Sequence, residues 1–301
     1  MPEIYDHLGK PVQHRRARVN NIRMHFVMAG QGEPLLLLHG TPKTHYYWYK
    51  LIPLLTEKFT VVAPDLRGFG DTDRPKAEEG YDSVQNAKDL EELMTGLGFA
   101  KFHVHGEDRG AEYAYVLAAR NPDRVKSLSF CEMLLSGKRL NEMSYFTKEN
   151  TQLQFHQKGT WQWHIPFFWI ADIPEMLIQG HEREFWSRWM KQETWNPNAI
   201  SQECIDEWIN QMKTAGGLRG VLETYRAAFV NEAINRELAK TKLKMPVMAI
   251  GAPEFFGWTV AEQMREVAEN VVKAEVFEEC GHSLALEAEE RLAAALIDFM
   301  L

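Results

Sequence analysis

The stretch Gly106-Glu107-Asp108-Arg109-Gly110 holds the residue types and spacing that most directly imply chemistry. A short run that suits a buried strand, Lys101 to His105, precedes it, and a helical pattern (Ala111, Ala114, Tyr115, Ala118, Ala119) follows at once. Strand, tight turn and helix in that order, with glycines flanking one acid, form the pattern of a nucleophile elbow, whose reactive side chain sits at a strained backbone angle. Aspartate in that place restricts the reaction. Its carboxylate is already ionised at pH 7, and its attack on an sp³ carbon leaves an ordinary alkyl ester. Epoxides and alkyl halides are the electrophiles that suit such an attack. The bland alternative is an aspartate in a glycine-rich βα turn with no chemistry to do.

A turn of this kind has to be presented by a sheet. Residues 16–28 read as an antiparallel hairpin broken at Asn20-Asn21. Pro34 to Leu38 is an apolar run suited to a strand buried on both faces, and it ends in His39-Gly40-Thr41-Pro42. A helix over Tyr49 to Leu55 follows, then a second buried strand, Phe59 to Ala63, which ends in Pro64-Asp65-Leu66-Arg67-Gly68-Phe69-Gly70. A helix around 83–97 leads into the elbow, and Val125 to Cys131 forms a strand ending at Glu132. Strands at Met245–Ile250 and Ala274–Phe277 resume the rhythm, and a closing helix from Leu284 to Phe299 follows Cys280-Gly281-His282. The alternation predicts an α/β fold with a mostly parallel sheet, helices on both faces, and active groups in loops past the strand C-termini.

From 139 to 239 the alternation stops and the chain reads as helical. That segment carries seven of the nine tryptophans: Trp161, Trp163, Trp169, Trp186, Trp189, Trp195 and Trp208. The expected organisation is a core of residues 1–138 and 240–301 with an inserted helical cap over 139–239. The cap aromatics serve as its own core or as the lining of a pocket for an apolar guest.

Bulk properties narrow the classes. The chain has 301 residues, 45% hydrophobic and 25% charged, which is ordinary for a globular protein. A net charge of −8 argues against nucleic acid or an anionic membrane as partner. Cys131, Cys204 and Cys280 lie far apart without metal spacing, so neither a disulfide framework nor a metal or other cofactor is expected. The first residues lack a basic and apolar leader and no stretch approaches the length of a membrane span, so a cytoplasmic protein is expected.

With four motifs in order, His39-Gly40-Thr41-Pro42, Pro64 to Gly70, Gly106 to Gly110 and Cys280-Gly281-His282, the chain resembles the epoxide hydrolase and dehalogenase branch of the α/β-hydrolase fold. The resemblance covers essentially the whole chain. It implies that Asp108 attacks carbon, that His282 activates water against the resulting ester, and that the backbone N–H groups of Thr41 and Arg109 hold the oxyanion. The carboxylate that orients His282 has two candidates. Glu132 resembles the acid position of some dehalogenases and of a bacterial epoxide hydrolase directed at a chloride channel, and Glu254 resembles the alternative family position. Glu132 is favoured, because a carboxylate at a buried strand end is costly unless paired.

The same resemblance assigns His164 and Tyr225 as donors to the opening ring, with Trp163, His39 and Pro42 against the substrate, a small apolar epoxide. Fluoroacetate dehalogenases carry arginine after the nucleophile, as here at Arg109. They also carry a second arginine where this chain has Glu112, and tryptophan where it has Ile165. Epoxide opening is therefore the expected activity, with fluoroacetate dehalogenation as runner-up and a non-catalytic ligand-binding protein as a distant third. Glu107 stands where relatives usually have a neutral residue, and either a surface or a site-flanking position is compatible with the sequence.

Overall fold

The computed structural model describes residues 2–144 and 162–301, so Trp161 lies outside the described residues. Asn20 and Asn21 both take positive φ, 40° and 66°, a conformation asparagine tolerates better than most residues. They join β1 (Gln13–Val19) to β2 (Ile22–Ala29) as an antiparallel hairpin with Val19 opposite Ile22. Next come β3 (Glu33–Leu38) and β4 (Phe59–Pro64), then β5 (Phe102–Glu107) and β6 (Val125–Cys131). Two further strands, β7 (Val247–Gly251) and β8 (Val271–Val276), complete an eight-stranded sheet in the order β1-β2-β4-β3-β5-β6-β7-β8. From β4 to β8 all neighbours are parallel, and β2 alone runs against its neighbours β1 and β4.

Parallel strands lie between helices and lose water from both faces, which explains why Leu35 to Leu38 and every residue of β5 are buried. Polar side chains on β5 are then tolerated only in pairs. His103 and His105, two residues apart and so on one face, meet the hydroxyls of Ser127 and Ser129 on β6 at 2.7 and 2.9 Å. The elbow helix, Arg109–Arg120, starts without a linker after Asp108. A Cβ on Gly110 would run into the carbonyls of Leu38 and His39, and one on Gly106 into that of Gly110, so both glycines are required by close approach of backbones.

Most expected elements lie where the sequence places them, with small changes at their ends. The helix at 83–97 is Ser83–Gly96, begun by Asp82, whose side chain accepts from the Val84 and Gln85 N–H groups at 2.9 and 3.0 Å. The helix expected over Tyr49 to Leu55 is a short 3₁₀ turn, His45–Trp48, followed by Leu51–Leu55. The closing helix is two, Leu284–Glu287 and Glu289–Met300, separated at Ala288.

Between β6 and β7 the described residues contain helices and no strand. Trp186, Trp189 and Trp208 are buried there, whereas Trp163, Trp169 and Trp195 are exposed. No helix among the described residues is long and apolar enough to cross a membrane.

Candidate active site

The C-terminal ends of β3, β5, β6 and β8 all open toward one place. Asp108, just past β5, takes φ 53° and ψ −134°, a conformation that costs a non-glycine residue of order 1–3 kcal/mol and clusters at functional sites. The residue is 7% exposed. One carboxylate oxygen accepts from the Arg109 N–H at 2.5 Å, and the other accepts from the Thr41 N–H and meets His282 Nε2, both at 3.2 Å. These are the two backbone donors assigned to the oxyanion. They hold the carboxylate oxygens from the β3 side and from the start of the elbow helix.

His282 lies in the loop between β8 and the helix Leu284–Glu287, is 4% exposed, and stacks on Phe255 with ring centroids 4.2 Å apart. Its Nδ1 faces Glu132 Oε2 at 3.3 Å. Glu132 follows β6 at φ 45° and is fully buried; its other oxygen accepts from the Ala252 and Phe256 N–H groups at 2.7 and 3.3 Å. Three bonds to one buried carboxylate offset the cost of its charge. Glu254 is partly exposed, and Glu132 occupies the position beside His282 Nδ1.

Electrostatics couple the three side chains. Burial opposes the charge on Asp108, but His282, Lys43 and Arg109 outweigh it and hold the carboxyl at about 2. Burial likewise opposes protonation of His282, yet its bonds to Asp108 and Glu132 carry it up to about 10. Burial raises Glu132, and the imidazole works against that rise. At neutral pH the resting site thus sets an imidazolium against the Asp108 carboxylate, with Glu132 at its Nδ1.

Asp108, Arg109, His164, Tyr225 and His282 line one narrow pocket, closed further by Gln162, Ile165, Trp189, Glu193, Phe255 and Phe256. The His164 and Tyr225 rings meet edge-on at 5.6 Å. Burial, with the Asp108 charge second, pushes the Tyr225 phenol well above its ordinary range, so it stays a proton donor. The Arg109 guanidinium lies over the Tyr225 ring at 5.1 Å and donates to Glu112 at 3.0 Å and to Ser136 at 3.1 Å.

Three expected substrate contacts fall outside the described pocket wall. Trp163 is 39% exposed and packs beside Phe167 and Phe185, while its neighbours Gln162 and Ile165 face the pocket. His39 is spent on backbone: its Nδ1 meets the Gly40 carbonyl at 2.8 Å and its Nε2 accepts from the Leu66 N–H at 3.1 Å. Burial holds that imidazole down to about 4, hence neutral. The Pro42 carbonyl takes the Gln211 side-chain N–H at 2.9 Å, tying the loop to the helix Gln202–Met212.

Glu107 is fully buried and not a surface residue; it accepts from the Tyr47 hydroxyl at 2.5 Å and faces His105 Nε2 at 3.3 Å. Among the described residues, His25, His45 and Asp65 form a group whose ligand atoms lie within 4.8 Å of one another. Both imidazole Nδ1 atoms are engaged by Asp65 itself, at 2.7 and 2.8 Å.

Residues 33–169 match the alpha/beta hydrolase fold family. A soluble epoxide hydrolase from Corynebacterium sp. (strain C12) is 33% identical over 280 residues, 91% of this chain and 92% of that protein. The chain belongs to the α/β-hydrolase family. A second relative of this α/β hydrolase, a fluoroacetate dehalogenase from Burkholderia sp., is 28% identical over 71% of the chain and 69% of that protein. Among solved structures, Cfl2 from Burkholderia cenocepacia superposes with a TM-score of 0.88 at 34% identity, covering 100% of this chain and 99% of that one.

Proposed function

We propose that this α/β hydrolase opens epoxides in two steps through a covalent ester on Asp108. In the first, the Asp108 carboxylate attacks a ring carbon, the C–O bond breaks, and the ring oxygen takes a proton from the His164–Tyr225 pair. In the second, water attacks the ester carbonyl, the N–H groups of Thr41 and Arg109 hold the oxyanion, and collapse frees Asp108 and the diol. Glu132 orients His282 and balances its charge.

The coupling between Asp108 and His282 explains how an imidazole raised to about 10 becomes a base. Esterification removes the Asp108 charge, and with it a principal contribution that keeps His282 protonated. Its pKa falls once the ester forms, so it can release its proton, which replaces the one the His164–Tyr225 pair gave up. As a neutral base it then takes a proton from the attacking water and passes it to the departing diol oxygen.

One observation carries the choice of epoxide. The Arg109 guanidinium at the pocket is neutralised by Glu112 at 3.0 Å, and Glu193 adds another carboxyl to the wall. A haloacetate would bring its own carboxylate beside the Asp108 anion with Arg109 already paired, whereas a neutral epoxide meets a nucleophile and two ring donors. The second reading, fluoroacetate dehalogenation, draws support from the relative that bears that name. The deciding experiment offers the protein a styrene-type epoxide and fluoroacetate separately, measuring diol and fluoride. Diol without fluoride is expected; fluoride without diol would replace this reading by the other.

A further inference from the structure

Glu193 has no part in the two steps above, yet it faces the same pocket as Asp108, Tyr225 and His282. It caps the C-terminal end of the helix Glu182–Gln192. Its position is fixed through the backbone: its carbonyl accepts from the His282 N–H at 2.7 Å, and only glycine fits at 281 beside that carbonyl. Glu193 is 5% exposed, and among the described residues its carboxyl has no hydrogen-bond partner. A buried polar group without a partner is costly, so this carboxyl is available to a guest.

Its charge state follows from its neighbours. His282 and Lys43 face it with positive charge, Asp108 and Glu132 with negative charge, and Tyr225 with a phenol. Three buried carboxyls against two cations favour one held as the acid. Burial, with Asp108 and Glu132 adding to it, pushes Glu193 up to about 8.

We propose that Glu193 is a specificity-determining residue that, as an un-ionised acid, donates a hydrogen bond to a neutral oxygen carried by the substrate beside its reacting ring. The pocket then selects oxygen-bearing epoxides, such as glycidyl ethers, over hydrocarbon epoxides of the same shape. This rests on the reading of the site as an epoxide hydrolase. It goes beyond that reading by naming the substrate class.

The test uses two isosteric substrates, phenyl glycidyl ether and 4-phenyl-1,2-epoxybutane, which differ by one ether oxygen. The wild type is expected to favour the ether by about tenfold in kcat/KM, the size of one good hydrogen bond in a buried site. The preference falls as pH rises past about 8, where the acid ionises. Glu193→Gln keeps a donor and should keep the preference, now independent of pH. Glu193→Leu should bring the ratio to about one. An unchanged ratio in Glu193→Leu, or the same alkaline loss of preference in Glu193→Gln, overturns the proposal. Calorimetric binding of the two corresponding diols is measured in parallel. If the wild type opens neither epoxide, the functional reading fails, while a diol affinity ratio that differs between wild type and Glu193→Leu still upholds the role of Glu193, and equal ratios reject it.

Discussion

An aspartate that reacts through its carboxylate has two states to live through, an anion before attack and an ester after it. In the anionic state Asp108 is held at about 2 and His282 at about 10, each by the other. Two outcomes follow at the scale of the residue. Asp108→Asn should lower turnover by about 10³-fold or more, as loss of a catalytic nucleophile does, provided mass analysis shows that the asparagine has not deamidated. It should also move His282 down from about 10, because the carboxylate beside Nε2 is gone; the imidazole proton resonances followed by NMR across pH would report that shift. Unchanged turnover in intact Asp108→Asn rejects the nucleophile. The pH dependence has a sign as well. In the proposed reaction attack needs only ionised Asp108, available at any pH well above about 2, whereas hydrolysis needs His282 to lose a proton. Ester hydrolysis should therefore slow as pH falls while attack continues. Acid-quenched mass spectrometry should find more ester on Asp108 at pH 5 than at pH 8; equal amounts would remove His282 from the second step. Tyr225→Phe and His164→Ala act earlier and should slow ester formation by about 10²-fold or more, and normal single-turnover ester formation in both would exclude them as donors.

Elements position those residues, and the sequence reveals some placements better than others. Asp108 and Glu132 lie just past β5 and β6, where an apolar run stops and a polar loop group follows, and His282 lies in the loop after β8; the strand pattern gives these places and the family resemblance gives their roles. That is why the sheet, the elbow and the three coupled side chains were legible without coordinates. The helices between β6 and β7 were legible as helices but not in their rotation. Successive helical side chains point about 100° apart, so the start of the helix His164–Trp169 decides that His164 and Ile165 face the pocket while Trp163 does not. No local pattern fixes that phase. Glu193 was missed for a related reason, since only the packing of its segment on the His282 loop makes it a pocket residue. Glu287 holds this packing together: its carboxylate accepts from the Trp195 and Asn196 N–H groups at 2.7 and 3.0 Å and from the Gly281 N–H at 3.2 Å. Glu287→Ala should cost about 0.5–1.5 kcal/mol, the net worth of an ordinary hydrogen bond, and should lower turnover because the His282 loop loses a support. A thermal melt and a rate measured on the same sample test both, and a variant with unchanged midpoint and rate would show that the loop stands without this clamp.

At the scale of the whole molecule, charge decides which guests approach. The chain carries a net charge of −8, whereas in the pocket Asp108 and Glu132 face His282 and Lys43 in equal number and Glu193 is held as the acid. Arg109 adds little, because Glu112 holds it. A net negative field leaves a neutral substrate alone and opposes an anionic one, and salt screens such a field over about 8 Å at physiological ionic strength. Raising salt from low to about 0.5 M should therefore change kcat/KM for a neutral epoxide by less than about twofold, the residue of small effects on an uncharged encounter. Any weak activity on a haloacetate should rise over the same range, because screening relieves the repulsion. The opposite pattern, haloacetate turnover that is fast at low salt and falls as salt is added, would mean that the anion meets a positive path to Asp108. Arg109 would then have to be freed from Glu112 by the substrate itself, and the runner-up chemistry would displace epoxide opening.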